Sequence, residues 1–186
     1  MTDAITSDNE YRQQRLANMA ALKELGYEPF GRAFERTGRL SEIRAAFEEE
    51  KPVTAAGRLT TIRDMGKSIF ADINDGSDRF QIYVQKKAVG EDVFDAFKLL
   101  DIGDHIGVDG ELFITRTEEP TIKITSWTLL SKALLPLPEK WHGLKDVESR
   151  YRQRYLDLIS NPDSRALFNR RIATIREIRN YLSNKG

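Results

Sequence analysis

Five stretches in which apolar and polar residues alternate lie between residues 53 and 130, and a stretch with helical spacing separates the third from the fourth. Alternation with a period of two is typical of half-buried β-strands. The first predicted strand begins at Val53. The other four run from Ser68 to Asn74, from Arg79 to Val84, from about His105 to Ile114 and from about Thr121 to Leu130. The helical stretch lies between about Glu91 and Leu100. Few folds of this length have three strands, a helix and two strands in that order.

This order of elements is that of the OB-fold, a small five-stranded Greek-key barrel that often binds oligonucleotides. Asp75-Gly76 between the second and third strands is a strong hairpin signal, which agrees with it. The alternative is an unrelated small barrel or sandwich with an inserted helix, and the strand order alone does not separate the two.

Helical segments flank the predicted barrel, so the chain is expected to be of the α+β class. Ser7 and Glu10 have the spacing of a capping box, which predicts a helix from there to about Leu25. A short second helix is predicted near Ser41, with Glu48–Glu50 as its solvated end. We therefore divide the chain into an N-terminal helical extension (1–50), a barrel (51–132), a connector (133–160) and a C-terminal segment (161–186).

The C-terminal segment is predicted to be one long amphipathic helix. Asn161-Pro162 is a good helix start, because asparagine caps a helix and proline suits its first turn. Apolar residues then recur with helical spacing at Phe168, Ile172, Ile175, Ile178 and Leu182. Such a stripe is typical of a helix that packs on one side against other structure.

Charge and composition restrict the function without defining it. The 29 basic and 29 acidic residues cancel, which argues weakly against a nucleic-acid partner. Residues 131–186, however, carry twelve Lys and Arg against six Asp and Glu, so this end either attracts phosphates or forms a solvated helical face. No apolar run approaches the ~20 residues that span a bilayer, and the start lacks the features of a signal peptide. A cytoplasmic protein without a membrane partner is expected.

No catalytic, metal or cofactor site is predicted within this chain. The absence of cysteine excludes disulfides and thiolate chemistry. His105 and His142 are the only histidines, and their spacing favours structural or surface roles over metal ligation. No glycine-rich phosphate loop or nucleophile elbow is present.

One aromatic residue breaks the alternation of the second strand. Phe70 shares its predicted face with Ser68 and Asp72, opposite the apolar residues, and Gln81 and Tyr83 take the same face of the next strand. An exposed aromatic ring beside an amide suits an unstacked base, which stacks on the ring and hydrogen-bonds to the amide. The alternative is that Phe70 packs under the N-terminal helices or a loop.

Several stretches together resemble the class II lysyl-tRNA synthetases. The most specific is residues 142–144 (HGL) followed by residues 150–159 (RYRQRYLDLI). Residues 63–70 (RDMGKSIF), 81–84 (QIYV) and 129–138 (LLSKALLPLP) resemble the family's first hairpin, its third strand and its exit from the barrel. Aspartyl and asparaginyl enzymes share a similar barrel and a shorter RYLDL pattern, but the longer series favours the lysyl branch.

The resemblance implies that the barrel binds the lysine anticodon, whose central base is uridine. Carried over by position, Phe70 stacks on that base, Gln81 and Arg63 hydrogen-bond it or its neighbours, and Glu119 helps to recognise the uridine edge. Arginine suits such a role because its planar fork fits a phosphate or a base edge.

The resemblance also implies a longer parent enzyme that joins lysine to tRNA with ATP and Mg²⁺ and forms a homodimer. The helix from about Pro162 matches the first part of a truncated class II catalytic domain, at the family's dimer interface. The later motifs, which hold ATP, Mg²⁺ and lysine, are absent, so this chain alone is expected not to activate lysine. The alternatives are a free-standing OB-fold tRNA-binding module, a fragment of an aspartyl- or asparaginyl-type synthetase, and a protein-interaction domain that no longer binds RNA.

Overall fold

The computed structural model describes residues 2–31, 33–137 and 146–185, and within these ranges the side chains from residue 9 onward. The predicted features at residues 138–145, including His142, lie outside the described residues. The chain forms two compact units, Met1–Pro136 and Leu137–Gly186. Within the described ranges, no helix is both long enough and apolar enough to cross a membrane.

The first unit is a five-stranded closed barrel with helices. Its elements are α1 (Thr2–Glu24), α2 (Leu40–Ala45), β1 (Pro52–Asp64), β2 (Ser68–Asn74), β3 (Arg79–Gln85), α3 (Lys86–Val89), α4 (Glu91–Phe97), β4 (His105–Ile114) and β5 (Pro120–Ser131). The strands close in the order β1-β2-β3-β5-β4. Only β3 and β5 pair in parallel among these neighbours, and the other pairs are antiparallel. The five predicted strands and the helix between the third and fourth are confirmed.

The alternation in the sequence fixes which side chains fill the barrel. Residues of all five strands that take the apolar parity are fully or almost fully buried: Leu59, Ile69, Ile73, Phe80, Ile82, Val84, Ile106, Val108, Leu112, Ile122 and Ile124. Helix α4 adds Phe94 and Phe97, which are also fully buried. The opposite parity of the same strands is therefore available to form an outer surface.

The predicted hairpin between β2 and β3 is also present. Gly76 adopts a φ of 89°, a left-handed conformation that glycine takes without a steric cost. The carboxylate of Asp75 accepts hydrogen bonds from the backbone N–H groups of Ser77 and Leu40, so the turn is also joined to α2.

Three predicted helix boundaries are wrong. α1 begins at Thr2 and Ser7 lies inside it, because no glycine or proline interrupts the preceding residues. α2 ends at Ala45, so Glu48–Glu50 is an exposed turn in which Glu50 has a φ of 64°. α4 ends at Phe97 and not at Leu100.

A buried polar cluster joins α1 to the barrel. The Lys132 ammonium is fully buried and pairs with Asp101 and with Asp104, whose Oδ2 is 2.7 Å from Nζ. The guanidinium of Arg15 donates to the backbone carbonyls of Ile102, Ala133 and Leu135. The loop before β4 and the exit from β5 are thereby tied to α1.

Within residues 146–185, the second unit forms three helices, α5 (Val147–Arg152), α6 (Arg154–Ser160) and α7 (Pro162–Lys185). The fully buried carboxylate of Asp157 accepts hydrogen bonds from Arg150, Arg154 and Ser164, one donor from each helix. Burial raises the pKa of Asp157, but these hydrogen bonds outweigh it and hold the pKa below its ordinary value. The N-terminal end of α7 is therefore anchored to α5 and α6 through one carboxylate.

Most of α7 beyond this anchor exposes its apolar stripe. Ile172, Ile178 and Leu182 are each more than half exposed. Isolated helices are marginal in water without packing. We expect amides from Val53 to Leu130 to be well protected from hydrogen exchange in a dilute monomeric sample, and those from Arg165 to Lys185 to exchange much faster. Exchange measured by mass spectrometry tests this, and equal protection of the two ranges would show that α7 has a partner within the chain.

Candidate nucleic-acid interface

Residues with the outward parity of the barrel strands form two adjacent rows that cross the strands. The first row joins Arg63 on β1, Phe70 on β2, Tyr83 on β3 and Lys123 on β5 as successive cross-strand partners. The second row joins Thr61, Asp72, Gln81, Thr121 and, on β4, Phe113. Neighbouring strands lie ~4.8 Å apart, so the side chains within a row are in reach of one another. We call these two rows the outer face.

Aromatic rings occupy the centre of the outer face. The rings of Phe70 and Tyr83 are tilted by 39° with centroids 4.8 Å apart. Tyr83 also meets Phe113 of the second row, at 5.8 Å and 57°. All three residues are partly exposed. The structure therefore places Phe70 at one end of a continuous aromatic surface.

The amide of Gln81 lies next to these rings, in the second row. Its Oε1 is 2.9 Å from Oγ1 of Thr121, which donates to it. Gln81 is partly exposed, whereas Thr121 is fully buried. The amide is thus held from the β5 side by a neighbour that solvent does not reach.

Charged side chains border the aromatic surface on two sides. Arg63, the cross-strand partner of Phe70, is exposed and makes no ion pair within the described part of the chain. At the other side the guanidinium of Arg79 lies 3.7 Å from Oε1 of Glu119 and 3.6 Å from Oδ2 of Asp72. The four predicted site residues Arg63, Phe70, Gln81 and Glu119 therefore lie around one patch.

The loop before β5 has a fixed backbone that positions Glu119. The N–H of Thr115 donates to the carbonyl of Glu119, and the N–H of Glu119 donates to Oγ1 of Thr115. Glu118 between them has a φ of 60°. The backbone of Glu119 is therefore held in a hydrogen-bonded loop at the edge of the outer face.

The second row contains an acceptor that the sequence analysis did not identify. Asp72 is buried, and its Oδ2 accepts from Oγ1 of Thr61. Its Oδ1 is buried without a hydrogen-bond partner among the described residues. Asp72 is the cross-strand partner of Gln81 on β2, and Thr121 is its partner on β5.

Phe113 could have been found by the argument that found Phe70. It has outward parity on β4 beside the buried Leu112, so it too is an aromatic residue on a polar face. Asp72, Arg79 and Thr121 carried no such signal, because a polar residue at an outward position is ordinary. Among the described residues, no group of three or more histidine, aspartate or glutamate side chains could hold a metal ion.

Comparison with known proteins agrees with this geometry. The profile of a tRNA anticodon-binding family, described as an OB-fold nucleic acid binding domain, matches residues 53–130. Residues 53–130 are an OB-fold of the tRNA anticodon-binding family. The matched range covers the barrel from the second residue of β1 to the penultimate residue of β5. The OB-fold expected from the order of strands is confirmed.

The whole chain is similar to the N-terminal region of lysine–tRNA ligases. It is 50% identical over 181 residues to the enzyme of Thermoanaerobacter pseudethanolicus, covering 96% of the chain and 36% of that protein. It is 48% identical over 187 residues to the enzyme of Bacillus subtilis, covering 96% and 38%, and 45% identical over 188 residues to that of Syntrophomonas wolfei, covering 100% and 38%. The chain spans a little over a third of the length of these relatives. The roles of individual side chains in the anticodon-binding OB-fold stay predictions.

Proposed function

We propose that this chain binds the anticodon loop of a lysine tRNA through the outer face of its OB-fold. The observation that carries the proposal is the single patch in which Phe70 and Tyr83 are flanked by Arg63, Gln81 and Glu119. The similarity to lysine–tRNA ligases along the whole chain supports the choice of tRNA.

Each side chain contributes a different interaction in this proposal. The ring of Phe70 stacks on the central uridine, an interaction worth ~1–3 kcal/mol per base. The amide of Gln81 hydrogen-bonds an edge of that base, and the Glu119 carboxylate accepts from the uridine N–H or from a neighbouring base. Arg63, exposed beside Phe70, pairs with a phosphate or a base edge.

We further propose that this chain is part of a longer protein, a homodimeric lysine–tRNA ligase of class II that uses ATP and Mg²⁺. The exposed stripe of α7 supports this, because an apolar helix face of this kind is suited to burial against further protein. ATP, Mg²⁺ and lysine are bound by other parts of that protein, whereas this chain supplies anticodon recognition.

Binding of a lysine anticodon stem-loop to the 186-residue chain tests the proposal. We expect affinity to fall with rising salt, because contacts with phosphates release counterions. Replacing the central uridine by cytidine should weaken binding by about tenfold, the value of one well-placed hydrogen-bonded base contact. Fluorescence anisotropy at several salt concentrations measures both effects.

Alanine variants locate the contact on the outer face. Gln81→Ala and Glu119→Ala should each reduce the preference for uridine, whereas Gln85→Ala, on the same strand, and Glu111→Ala, on β4, should preserve it. Salt-independent binding, or equal affinity for the two stem-loops, would contradict the proposed function.

A further inference from the structure

We propose that Thr121 is a positioning residue for base selection, which orients the Gln81 amide so that its N–H₂ group faces the base. The inference rests on the proposed function and deepens it, because it names the hydrogen-bonding pattern that the site selects. A base must then present an acceptor to Gln81.

The hydroxyl of Thr121 has one proton and two acceptors within reach. Oε1 of Gln81 is 2.9 Å from Oγ1, and the carbonyl of Glu119 is 3.1 Å from it. That carbonyl already accepts the backbone N–H of Thr115 at 3.1 Å. The Gln81 oxygen is both the nearer and the less satisfied acceptor, so we assign the hydroxyl proton to it.

When the amide oxygen of Gln81 is held by Thr121, the group that the amide presents to a base is also determined. Thr121 is fully buried on β5, and the parallel pairing of β3 with β5 places it directly beside Gln81. With Oε1 turned toward Thr121, the remaining group of the amide is a pair of N–H donors. The terminal torsion of a glutamine has two broad minima, so without the hydroxyl the amide can turn over and offer its oxygen instead.

This orientation distinguishes uracil from cytosine. Uracil carries an acceptor, O4, where cytosine carries a donor, the N4 amino group. A donor from Gln81 therefore favours uracil, while a freely rotating amide accommodates either base. The orientation of the amide, and not only its presence, then sets the preference for uridine.

Thr121→Val tests the inference, because it keeps the shape of the side chain and removes the hydroxyl. If the parent chain prefers the uridine stem-loop over the cytidine stem-loop by about tenfold, we expect this preference to fall to about twofold in the variant. Affinity for the uridine stem-loop itself should change little. Thr121→Ser should keep the parent preference. Thr125→Val is the matched control, because the Thr125 hydroxyl donates to the Asp109 carbonyl, away from Gln81. This variant should also keep the parent preference for the uridine stem-loop.

Two further variants separate positioning from a structural effect. If Thr121 acts through Gln81, Thr121→Val should have no additional effect on the preference in a Gln81→Ala background. Gln81→Glu replaces the outward N–H₂ with an acceptor and should shift the preference toward cytidine, a result that does not depend on Thr121→Val folding.

An unchanged preference in folded Thr121→Val, or unchanged selection of uridine by Gln81→Glu, would overturn the inference. Failure of the parent chain to bind either stem-loop would instead overturn the proposed function.

Discussion

Asp104→Ala is expected to lower the free energy of unfolding by about 3 kcal/mol, because it breaks a buried ion pair from one side. Asp104 is fully buried and its Oδ2 is 2.7 Å from Nζ of Lys132, which is also fully buried. The same carboxylate accepts the backbone N–H groups of Asp101 and Ala133. The substitution therefore leaves an ammonium with one remaining carboxylate and two backbone donors without their acceptor.

Urea denaturation of the 186-residue chain, followed by circular dichroism, measures this loss. Asp95→Ala is the control, because Asp95 is exposed on α4 and its substitution should change the free energy of unfolding by less than about 0.5 kcal/mol. A loss below about 1 kcal/mol for Asp104→Ala would show that the cluster contributes little to stability.

Most of the barrel could be predicted from the sequence, because the alternation of apolar and polar residues is a local property. The bounds of β2 and β4 agree with the predicted ones, and the apolar parity of each strand fills the core. The predicted start of α1 was wrong because a capping box is only a local preference, and the residues before Ser7, which include no glycine or proline, continue the helix past it. The cluster of Lys132 with Asp104 was not predictable, since 28 residues separate the partners and each taken alone is an ordinary charged residue.

The residues of the candidate site likewise divide into those that a local pattern predicts and those that it does not. Parity alone put Phe70, Gln81 and Tyr83 on one face, and the pairing of β2 with β3 agrees. Arg63 and Glu119 were identified through the resemblance, because an exposed charge on a strand or loop has no distinguishing pattern. Thr121 could not be found, because its contact with Gln81 requires the parallel pairing of β3 with β5 across 40 residues.

Phe70→Ala is expected to weaken binding of the lysine anticodon stem-loop by ~1–3 kcal/mol, the value of one base stacked on an aromatic ring. The fold should survive, because Phe70 is partly exposed on the outer face and lies outside the fully buried core. Phe30→Ala is the matched control, since Phe30 is 52% exposed and lies outside the strands of the barrel. It should bind as the parent chain does.

Two measurements separate stacking from other causes of weaker binding. Because the phenylalanine ring carries no charge, Phe70→Ala should leave the slope of log affinity against log salt unchanged, whereas loss of a phosphate contact at Arg63 should reduce that slope by ~1. Phe70→Trp should retain the affinity, because it keeps a ring on which a base stacks, and Phe70→Leu should not, although leucine keeps an apolar side chain there. If Phe70→Leu binds as tightly as the parent chain, apolar contact and not stacking accounts for the role of this position.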